Sequence, residues 1–495
     1  MAVGLTAAMT VGSISFQGLS ANAAGLPTTD GHNKYVNSGV FNVISDDSFG
    51  TKELENPLFD KTTGSSDISN LQVPTLAYDD TSIALVWDKP EKYDNVADYN
   101  VYVNGTLDGT ARKNYEENAK WADTYMKSFY EYYETNSDVD MVNVDIHSYR
   151  ATGLTPDTEY TFKVVAVDKD GKELGTAKEI SQKTAVKPEE FNILDYGAVA
   201  TEGYTSYNDE VNALVEKNTK AIQAAIDACT PGGKVVIPQA EDGKVFVSGA
   251  LWLKSDITVE LDGTLWASPN SDHFEIGFLM YPFYTDTRGW GLLNATSADG
   301  NAPLENIRIT GNGTLYGNGW KYGAGDKMYE DGYTSNTGVN TQAGDPSDTE
   351  NYGLPRYMGG SNTKVYYYGI QAADSAKKYL ANLTNEDGSR KYSDELINSL
   401  SGYIEKDLAD NGKVDKNGKD KFIDVETGNN AGIEKADITN AYATRSSLLI
   451  MRNVSNVYVG DITVENPANH SVNILDSRNI STENVTDLDL AVHRM

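Results

Sequence analysis

The sequence predicts an all-β protein in which a small β-sandwich precedes an incomplete right-handed parallel β-helix that carries a long insertion. Three observations support this prediction. Residues 73–186 contain short strands in which apolar and polar positions alternate between turn residues. Further along, Asn or Asp followed by a branched apolar residue recurs, and Asn456 and Asn479 are 23 residues apart. A repeat of that length leaves no room for a crossover helix, which favours coils of short parallel strands.

The composition excludes several classes of protein. The chain has 495 residues and a net charge of −31. Such a field repels anionic phosphates, so neither nucleic acid nor a membrane surface is an expected partner. The single cysteine, Cys229, excludes an internal disulfide and a cysteine-based zinc site. We expect neither a metal ion nor a cofactor, and no apolar run reaches the roughly 18–20 residues of a membrane-spanning helix.

The first residues of the chain are typical of an export signal. Residues 1–23 are uncharged, largely small and apolar, and end in Ala21-Asn22-Ala23, the A-x-A pattern of a cleavage site. The usual basic start is missing, so the signal would be clipped, and a loose native N-terminus is the alternative. Residues 24–70 are rich in Asn, Asp, Ser, Thr and Gly and read as a linker. We therefore expect a secreted protein, extracellular or periplasmic, and a monomer.

Residues 71–186 are predicted to form the sandwich, with an insertion at 112–148. Apolar residues alternate along Ile83–Trp87, and Asn104-Gly105 is a hairpin dipeptide. The stretch Leu154–Tyr160 places a turn proline before a tyrosine that opens an alternating strand, which is the tyrosine-corner pattern of sandwich domains. With a tryptophan on an early strand, this part of the chain resembles a fibronectin type III domain.

The insertion at 112–148 has one methionine and four aromatic residues at helical spacing. Their three- and four-residue spacing predicts an amphipathic helix; the residues are Tyr125, Met126, Phe129, Tyr132 and Tyr133. Two interpretations are open: the aromatic rings stack on sugar rings, or they pack the helix onto the sandwich.

A helix and a repeat define the second part of the chain. Asn218 is predicted to cap a helix with an apolar stripe of Ala221, Ile222 and Ile226, which would cover the open end of the coils. Four stretches then share the Asx-led strand pattern: Ser255–Val259, Glu305–Ile309, Ser455–Val459 and Arg478–Thr482. Ile307, Val457 and Ile480 are predicted to occupy equivalent inward positions of one parallel β-helix.

Several motifs of this part resemble glycoside hydrolase family 28, and the bacterial exo-acting polygalacturonases with an N-terminal fibronectin-like module in particular. The motifs are Phe191–Ala198, Asn218–Cys229, Pro231–Gly233, Gly249–Ser255, Leu261–Leu265, Gly311–Trp320, Arg445–Leu449 and Val464–His470. The resemblance covers about residues 190–321 and 441–490. It implies that residues 190–495 form a pectinase-like β-helix, and that the activity is inverting hydrolysis of α-1,4-galacturonosyl bonds of pectin or polygalacturonate.

The segment 322–443 interrupts the repeat and is too long for a simple loop. Ser393, Leu396, Leu400 and Ile404 predict one capped helix. The acidic stretch 410–420 faintly resembles a calcium loop, but it lacks the regular ligand spacing, and a solvated turn is the favoured interpretation. By the resemblance, Leu354–Tyr357 and Tyr366–Tyr368 could wall a sugar site at one end of a substrate groove; packing within the insertion is the equal alternative.

The family's catalytic motifs are Asn-x-Asp, Asp-Asp, Gly-His and Arg-x-Lys, and they follow the coils that this sequence shows. None of them occurs after Arg445, so no catalytic residue is assigned, and the resemblance places those residues beyond Met495. The chain is therefore expected to be C-terminally truncated. Asp487 and Asp489 lie on the strand before the first motif and are not assigned as catalytic acids.

A polyanionic substrate needs a local basic patch on so acidic a protein. The candidate substrate-binding residues are Lys321, Arg356, Arg445 and His470, of which His470 matches a histidine of exo-acting relatives. Each has an alternative: Arg445 as a structural partner at a coil corner, and the others as solvated side chains.

Two other functions stay open at this point. The chain could be a non-catalytic carbohydrate-binding or adhesin-like β-helix protein. It could also be another pectin-active hydrolase, such as a rhamnogalacturonan hydrolase.

Overall fold

The computed structural model describes residues 64–93, 95–118, 146–279, 287–296, 303–322, 364–399, 403–407 and 432–488. Within it the chain divides into two compact units, one made of residues 64–115 with 146–185, and the other mainly of the residues from Val186 onward. Several sequence predictions lie outside the described residues: the export signal, the aromatic helix of 125–133, the acidic stretch 410–420, Arg356 and Asp489. None of the helices described is long and apolar enough to cross a membrane.

The first unit is an antiparallel β-sandwich. Its strands are β1 (Ile83–Val86), β2 (Asp98–Val103), β3 (Thr106–Thr110), β4 (Ser148–Ala151), β5 (Glu159–Val167) and β6 (Glu173–Lys183), with helix α1 (Ala111–Asn118) after β3. One sheet has the order β3-β2-β5-β6, and β1 pairs with β4 in the other. At Asn104 and Gly105 the backbone φ angles are 49° and 81°, the left-handed values that a two-residue hairpin requires.

Two aromatic residues fix the sandwich as the sequence predicted. Trp87 is 2% exposed and lies edge-on to Tyr99, with ring centroids 5.2 Å apart. The Tyr160 hydroxyl accepts a hydrogen bond of 2.9 Å from the backbone N–H of Thr155, which closes the tyrosine corner. The all-β fold class, with a sandwich first, is confirmed.

The second unit is a right-handed parallel β-helix built from three parallel sheets. Strands β7 (Glu190–Asn192), β8 (Lys234–Ile237), β11 (Ile257–Leu261), β16 (Leu304–Thr310), β22 (Val454–Gly460) and β25 (Arg478–Glu483) form the first sheet. The second contains β9 (Phe246–Ser248), β12 (Thr264–Ala267), β17 (Thr314–Tyr316), β23 (Thr463–Glu465) and β26 (Thr486–Leu488). The third contains β10 (Leu251–Trp252), β15 (Leu293–Ala295), β21 (Leu449–Arg452) and β24 (Val472–Leu475).

Each coil takes one strand from each sheet. The first coil is β10-β11-β12, the second β15-β16-β17, the third β21-β22-β23 and the fourth β24-β25-β26. A short antiparallel pair, β13 (Ile276–Leu279) and β14 (Thr287–Gly289), lies between the first and second coils. Ile307, Val457 and Ile480 stand in one register, and the first two are fully buried, so the predicted inward ladder is confirmed.

An asparagine ladder joins the corners before the strands of the first sheet. Asn306 donates to Asp256 (2.7 Å), Asn456 to Asn306 (3.0 Å) and Asn479 to Asn456 (3.1 Å), always from Nδ2 to Oδ1. All four residues have φ between 55° and 63°, a region in which Asn and Asp are better tolerated than other side chains. The repeated Asx of the sequence is therefore both a backbone corner and a rung of this ladder.

Helix α2 (Asp209–Ala228) caps the coils, but it begins earlier than predicted. Its N-cap is Asn208, whose side chain accepts from the N–H of Val211. The prediction that Asn218 caps the helix is wrong. Asn218 is fully buried within α2, and its amide both accepts from Val199 N and donates to Val199 O, each at 2.9 Å.

The insertion lies in the turn between the second and third coils. It contains β18 (Trp320–Tyr322), β19 (Lys364–Gly369), β20 (Tyr403–Asp407) and helices α3 (Gln371–Ala381), α4 (Asp394–Ser399) and α5 (Lys435–Ala443). The three strands form an antiparallel sheet in the order β18-β19-β20. Ser393 does cap α4, through its Oγ and Leu396 N, but Ile404 lies in β20 opposite Tyr367, so the helix does not extend to it as predicted.

Candidate functional site: a cationic corner on the coil stack

Three basic side chains lie shortly before successive strands of the third sheet, Arg288 on β14 and the other two in turns. Arg288 precedes β15 of the second coil, Arg445 precedes β21 of the third, and His470 precedes β24 of the fourth. Because Leu293, Leu449 and Val472 share one register on these strands, the three residues follow one edge of the coil stack. We call Arg288, Arg445 and His470 the cationic corner.

His470 is exposed and lies within the electrostatic reach of both arginines. Desolvation by neighbouring atoms lowers the pKa of His470, and the positive charges of Arg288 and Arg445 lower it further. At neutral pH the imidazole is therefore uncharged, and the two guanidinium groups, which do not lose their protons, carry the positive charge.

The chain segment that carries Arg445 lies along β14. Arg288 Nη1 donates to the carbonyl of Ala443 (2.8 Å), and Gly289 N donates to the carbonyl of Thr444 (3.0 Å). A Cβ at Gly289 would lie only 3.2 Å from that carbonyl oxygen and 3.3 Å from Ser446 Cβ, so glycine permits this close approach. Arg288 thus serves the corner in two ways, as a charge and as a support for the segment before Arg445.

Hydroxyl and amide groups fill the turns around the corner. Ser447 Oγ accepts from Asn473 Nδ2 (2.6 Å), and Leu448 N donates to the carbonyl of His470 (3.0 Å). Ser471 Oγ donates to Asp487 Oδ1 (2.7 Å). The first two bonds tie the turn before the third coil to the start of the fourth coil, and the third bond lies within the fourth coil.

Asp487 occupies an inward register position on β26. It pairs with Val464, which is 1% exposed and belongs to the β-helix core. Desolvation raises the pKa of Asp487, and the hydrogen bond from Ser471 opposes that rise. The Asp487 side chain is nevertheless exposed, and its described partner is a serine of the fold.

The four predicted binding residues meet different outcomes. Arg445 and His470 come together in the cationic corner. Lys321 lies on β18 opposite Tyr368, but its side chain, like all of Arg356, lies outside the described residues.

Arg288 was not among the predicted residues. A signal for it exists: Arg288 and Arg445 lie five and four residues before strands that pair in register, Leu293 with Leu449. An alignment of the coils would have placed the two arginines within one position of each other.

Comparison with known proteins agrees with this architecture. Residues 66–183 match the family model of the fibronectin type III domain. An exo-poly-alpha-D-galacturonosidase of Dickeya chrysanthemi is 32% identical over 419 residues, which is 84% of this chain and 54% of that protein. The chain is a homologue of this exo-poly-alpha-D-galacturonosidase.

A solved structure extends the likeness to three dimensions. The family 28 exopolygalacturonase of Yersinia enterocolitica is 28% identical to this chain, with a TM-score of 0.59, over 86% of this chain and 60% of that one. The chain thus spans about half the length of the curated exopolygalacturonase that it matches. The similarity to these exopolygalacturonases includes most of the chain, so it is not confined to the fibronectin type III domain.

Proposed function

We propose that this chain takes part in the exo-type hydrolysis of α-1,4-galacturonosyl linkages of pectin or polygalacturonate, and that the cationic corner binds a galacturonate carboxylate. The observation that carries the proposal is the placement of two arginines and a neutral histidine before successive strands of one sheet, within electrostatic reach of each other, on a protein of net charge −31 that is homologous to an exo-poly-alpha-D-galacturonosidase. Elsewhere on such a surface a polyanion is repelled, whereas guanidinium groups match a carboxylate with two parallel hydrogen bonds.

The corner is suited to binding and not to proton transfer. Inverting hydrolysis of a glycosidic bond requires a carboxylic acid and a carboxylate base about 6.5–9.5 Å apart. Arginine does not release its proton, and a histidine with a lowered pKa does not attract the substrate by charge. The role that fits these groups is to hold an acidic sugar in position while carboxyl groups perform the chemistry.

The test is carboxylate-dependent binding. We expect the chain to bind trigalacturonate in calorimetry and to bind its methyl ester at least ten times more weakly, because the ester cannot form the charged hydrogen bonds. Arg445→Gln and Arg288→Gln should each lower the affinity on the order of 10-fold or more. Arg478→Gln, which removes the same charge at an exposed site, is the matched control. Equal binding of acid and ester would refute the proposal.

We also propose that the chain is exported and monomeric. The export proposal rests on the charge-free residues 1–23 with their A-x-A end, and on the single cysteine of the chain. Sequencing the N-terminus of the protein from the growth medium or the periplasm tests it, with a start at Ala24 as the expected result. Light scattering of the purified protein tests the monomeric state.

A further inference from the structure

Helix α3 of the insertion connects two successive turns of the coil stack. At its first residue, Gln371, the backbone N–H reaches the carbonyl of Asn318 in the turn after the second coil. Further along, Asp374 and Lys378 contact the turn after the first coil. Residues 371 and 378 are about 10 Å apart along a helix, and adjacent coils are about 4.8 Å apart. The helix is therefore long enough to act as a strut between the two turns.

The part of this strut that contains Asp374 and Lys378 is bound to the turn after the first coil. Asp374 accepts hydrogen bonds from Ser271 N (2.8 Å), Ser271 Oγ (2.7 Å) and the Tyr207 hydroxyl (2.8 Å). Lys378 forms ion pairs with Asp272 (2.8 Å) and Asp374 (2.9 Å). Burial lowers the pKa of Lys378, but these acceptors outweigh it and leave the pKa raised, so the ammonium stays charged. One end of α3 is thus fixed by both charge and hydrogen bonds.

The first residue of the strut, Gln371, contacts Ser446, which is the residue after Arg445. Gln371 Nε2 donates a hydrogen bond to Ser446 Oγ, and both side chains are buried, at 1% and 5% exposure. Ser446 follows Arg445 directly and also packs over Gly289. Any change in the Gln371–Ser446 contact therefore acts on the backbone from which Arg445 extends.

The two ends of the Gln371 side chain differ in their contacts. Its Oε1 is buried and has no hydrogen-bond partner among the described residues. Its amide nitrogen reaches Ser446, so the contact that distinguishes glutamine from an apolar side chain of similar size, such as leucine, is the one beside Arg445.

We propose that Gln371 is a positioning residue for Arg445. Through Ser446, the strut sets the direction from which the Arg445 guanidinium approaches the anionic sugar. The insertion then contributes to substrate affinity. This inference rests on the proposed function, because it assigns a purpose to the orientation of Arg445 in the cationic corner.

The experiment uses the full chain and removes the contact from either side. Gln371→Leu removes the donor and Ser446→Ala removes the acceptor, and the double variant completes the cycle. Two quantities are measured: affinity for trigalacturonate, and the rate at which phenylglyoxal modifies Arg445, followed by peptide mass spectrometry. Arg390, whose side chain is 45% exposed, serves as the internal reference. Thermal unfolding shows whether each variant is folded.

We expect each single variant to bind trigalacturonate on the order of 10-fold more weakly. In each, the modification rate of Arg445 should change severalfold relative to that of Arg390. The double variant should bind no more weakly than either single variant. If the folded variants leave the Arg445 rate unchanged, or change it without altering the affinity, the positioning role is wrong. If Gln371→Leu does not fold, the affinity and the Arg445 modification rate of Ser446→Ala alone test the positioning role. The proposed function fails separately, when the unmodified chain binds no trigalacturonate; no affinities can then be compared, and the Arg445 modification rate alone tests whether the strut holds Arg445 in place.

Discussion

Glu465 is a carboxylate in an apolar column on the outer side of the second sheet. It follows Tyr316 in the register of adjacent coils, and the Tyr316 ring stacks on Trp266 with centroids 3.8 Å apart. Burial raises the pKa of Glu465 above its ordinary 4.5. The native state thus keeps this proton to a higher pH than the unfolded chain does.

This shift gives a pH-dependent expectation for Glu465→Gln. A raised folded pKa means that the stability linked to this proton is fully present below pH 4.5 and is lost as the pH rises through the folded pKa. Glutamine stays neutral, so the variant should gain stability relative to the parent between pH 5 and 8, and the gain should vanish near pH 4. Urea unfolding at pH 4, 5.5 and 7.5 measures it, with exposed Glu305→Gln as the control. A difference that does not depend on pH would contradict this reasoning.

At the scale of elements, the asparagine ladder stabilises the stacking of coils. Asn456 is its best probe, because it donates to Asn306 and accepts from Asn479 while holding a φ of 57°. Alanine would lose both bonds and take on a left-handed backbone, whereas glycine would lose only the bonds.

We therefore expect Asn456→Ala to lower the free energy of unfolding by about 2–4 kcal/mol, and Asn456→Gly by about 1–2 kcal/mol less than that. Urea unfolding followed by tryptophan fluorescence gives both values. Equal losses for the two variants would mean that the backbone conformation contributes nothing. No loss in either would mean that the ladder is not stabilising.

The attachment of α3 gives a third expectation, independent of any ligand. Asp374→Ala removes three acceptor contacts and leaves the Lys378 ammonium with Asp272. Because these groups are partly exposed, the local cost should be about 1–3 kcal/mol. Amide hydrogen exchange in residues 371–381 should quicken accordingly, while the core strand β16 stays protected.

Asp394→Ala is the matched control for that measurement. Asp394 pairs with Arg390 at a more exposed site, with side chains 72% and 45% exposed, where an ion pair contributes little. If the two variants exchange alike in residues 371–381, the contacts of Asp374 do not anchor the helix.

Patterns among neighbouring residues predicted this fold. The features that the sequence analysis missed depend on contacts between residues that are distant in the sequence. The inward ladder of Ile307, Val457 and Ile480 follows from a short period that neighbouring residues specify. Asn218 looked like a helix cap because its distant partner, Val199, could not be seen in the pattern. Ile404 became a strand residue only by pairing with β19. In the same way, Arg288 joins the cationic corner through the register of separate coils.

At the scale of the whole molecule, the net charge opposes the proposed function. A net charge of −31 repels a polyanion over distances set by the ionic strength. Under the proposed function, attraction must therefore come from close contacts, where the charges of Arg288 and Arg445 act at a shorter distance than the overall field. This is why the orientation of Arg445, and so the strut that we propose to set it, should affect binding more than the overall charge does.

The two units have separate hydrophobic cores. The sandwich core contains Trp87, Tyr99 and Phe162, and the β-helix core contains Ile307 and Val457, with no residue shared between the two clusters. All strand pairs of the sandwich also lie within residues 64–185. A unit with its own core and its own hydrogen bonds has what independent folding requires.

We therefore expect residues 64–187 to fold when produced alone. Their amide NMR spectrum should be well dispersed, and urea should unfold them in a single transition, because the closed tyrosine corner and the core around Trp87 need nothing from the β-helix. Val101→Asp, which buries a charge at a fully buried position, should abolish the dispersion and is the control for a collapsed but unfolded chain. A poorly dispersed spectrum for the unaltered fragment would show that this sandwich depends on the rest of the chain, in spite of its separate core.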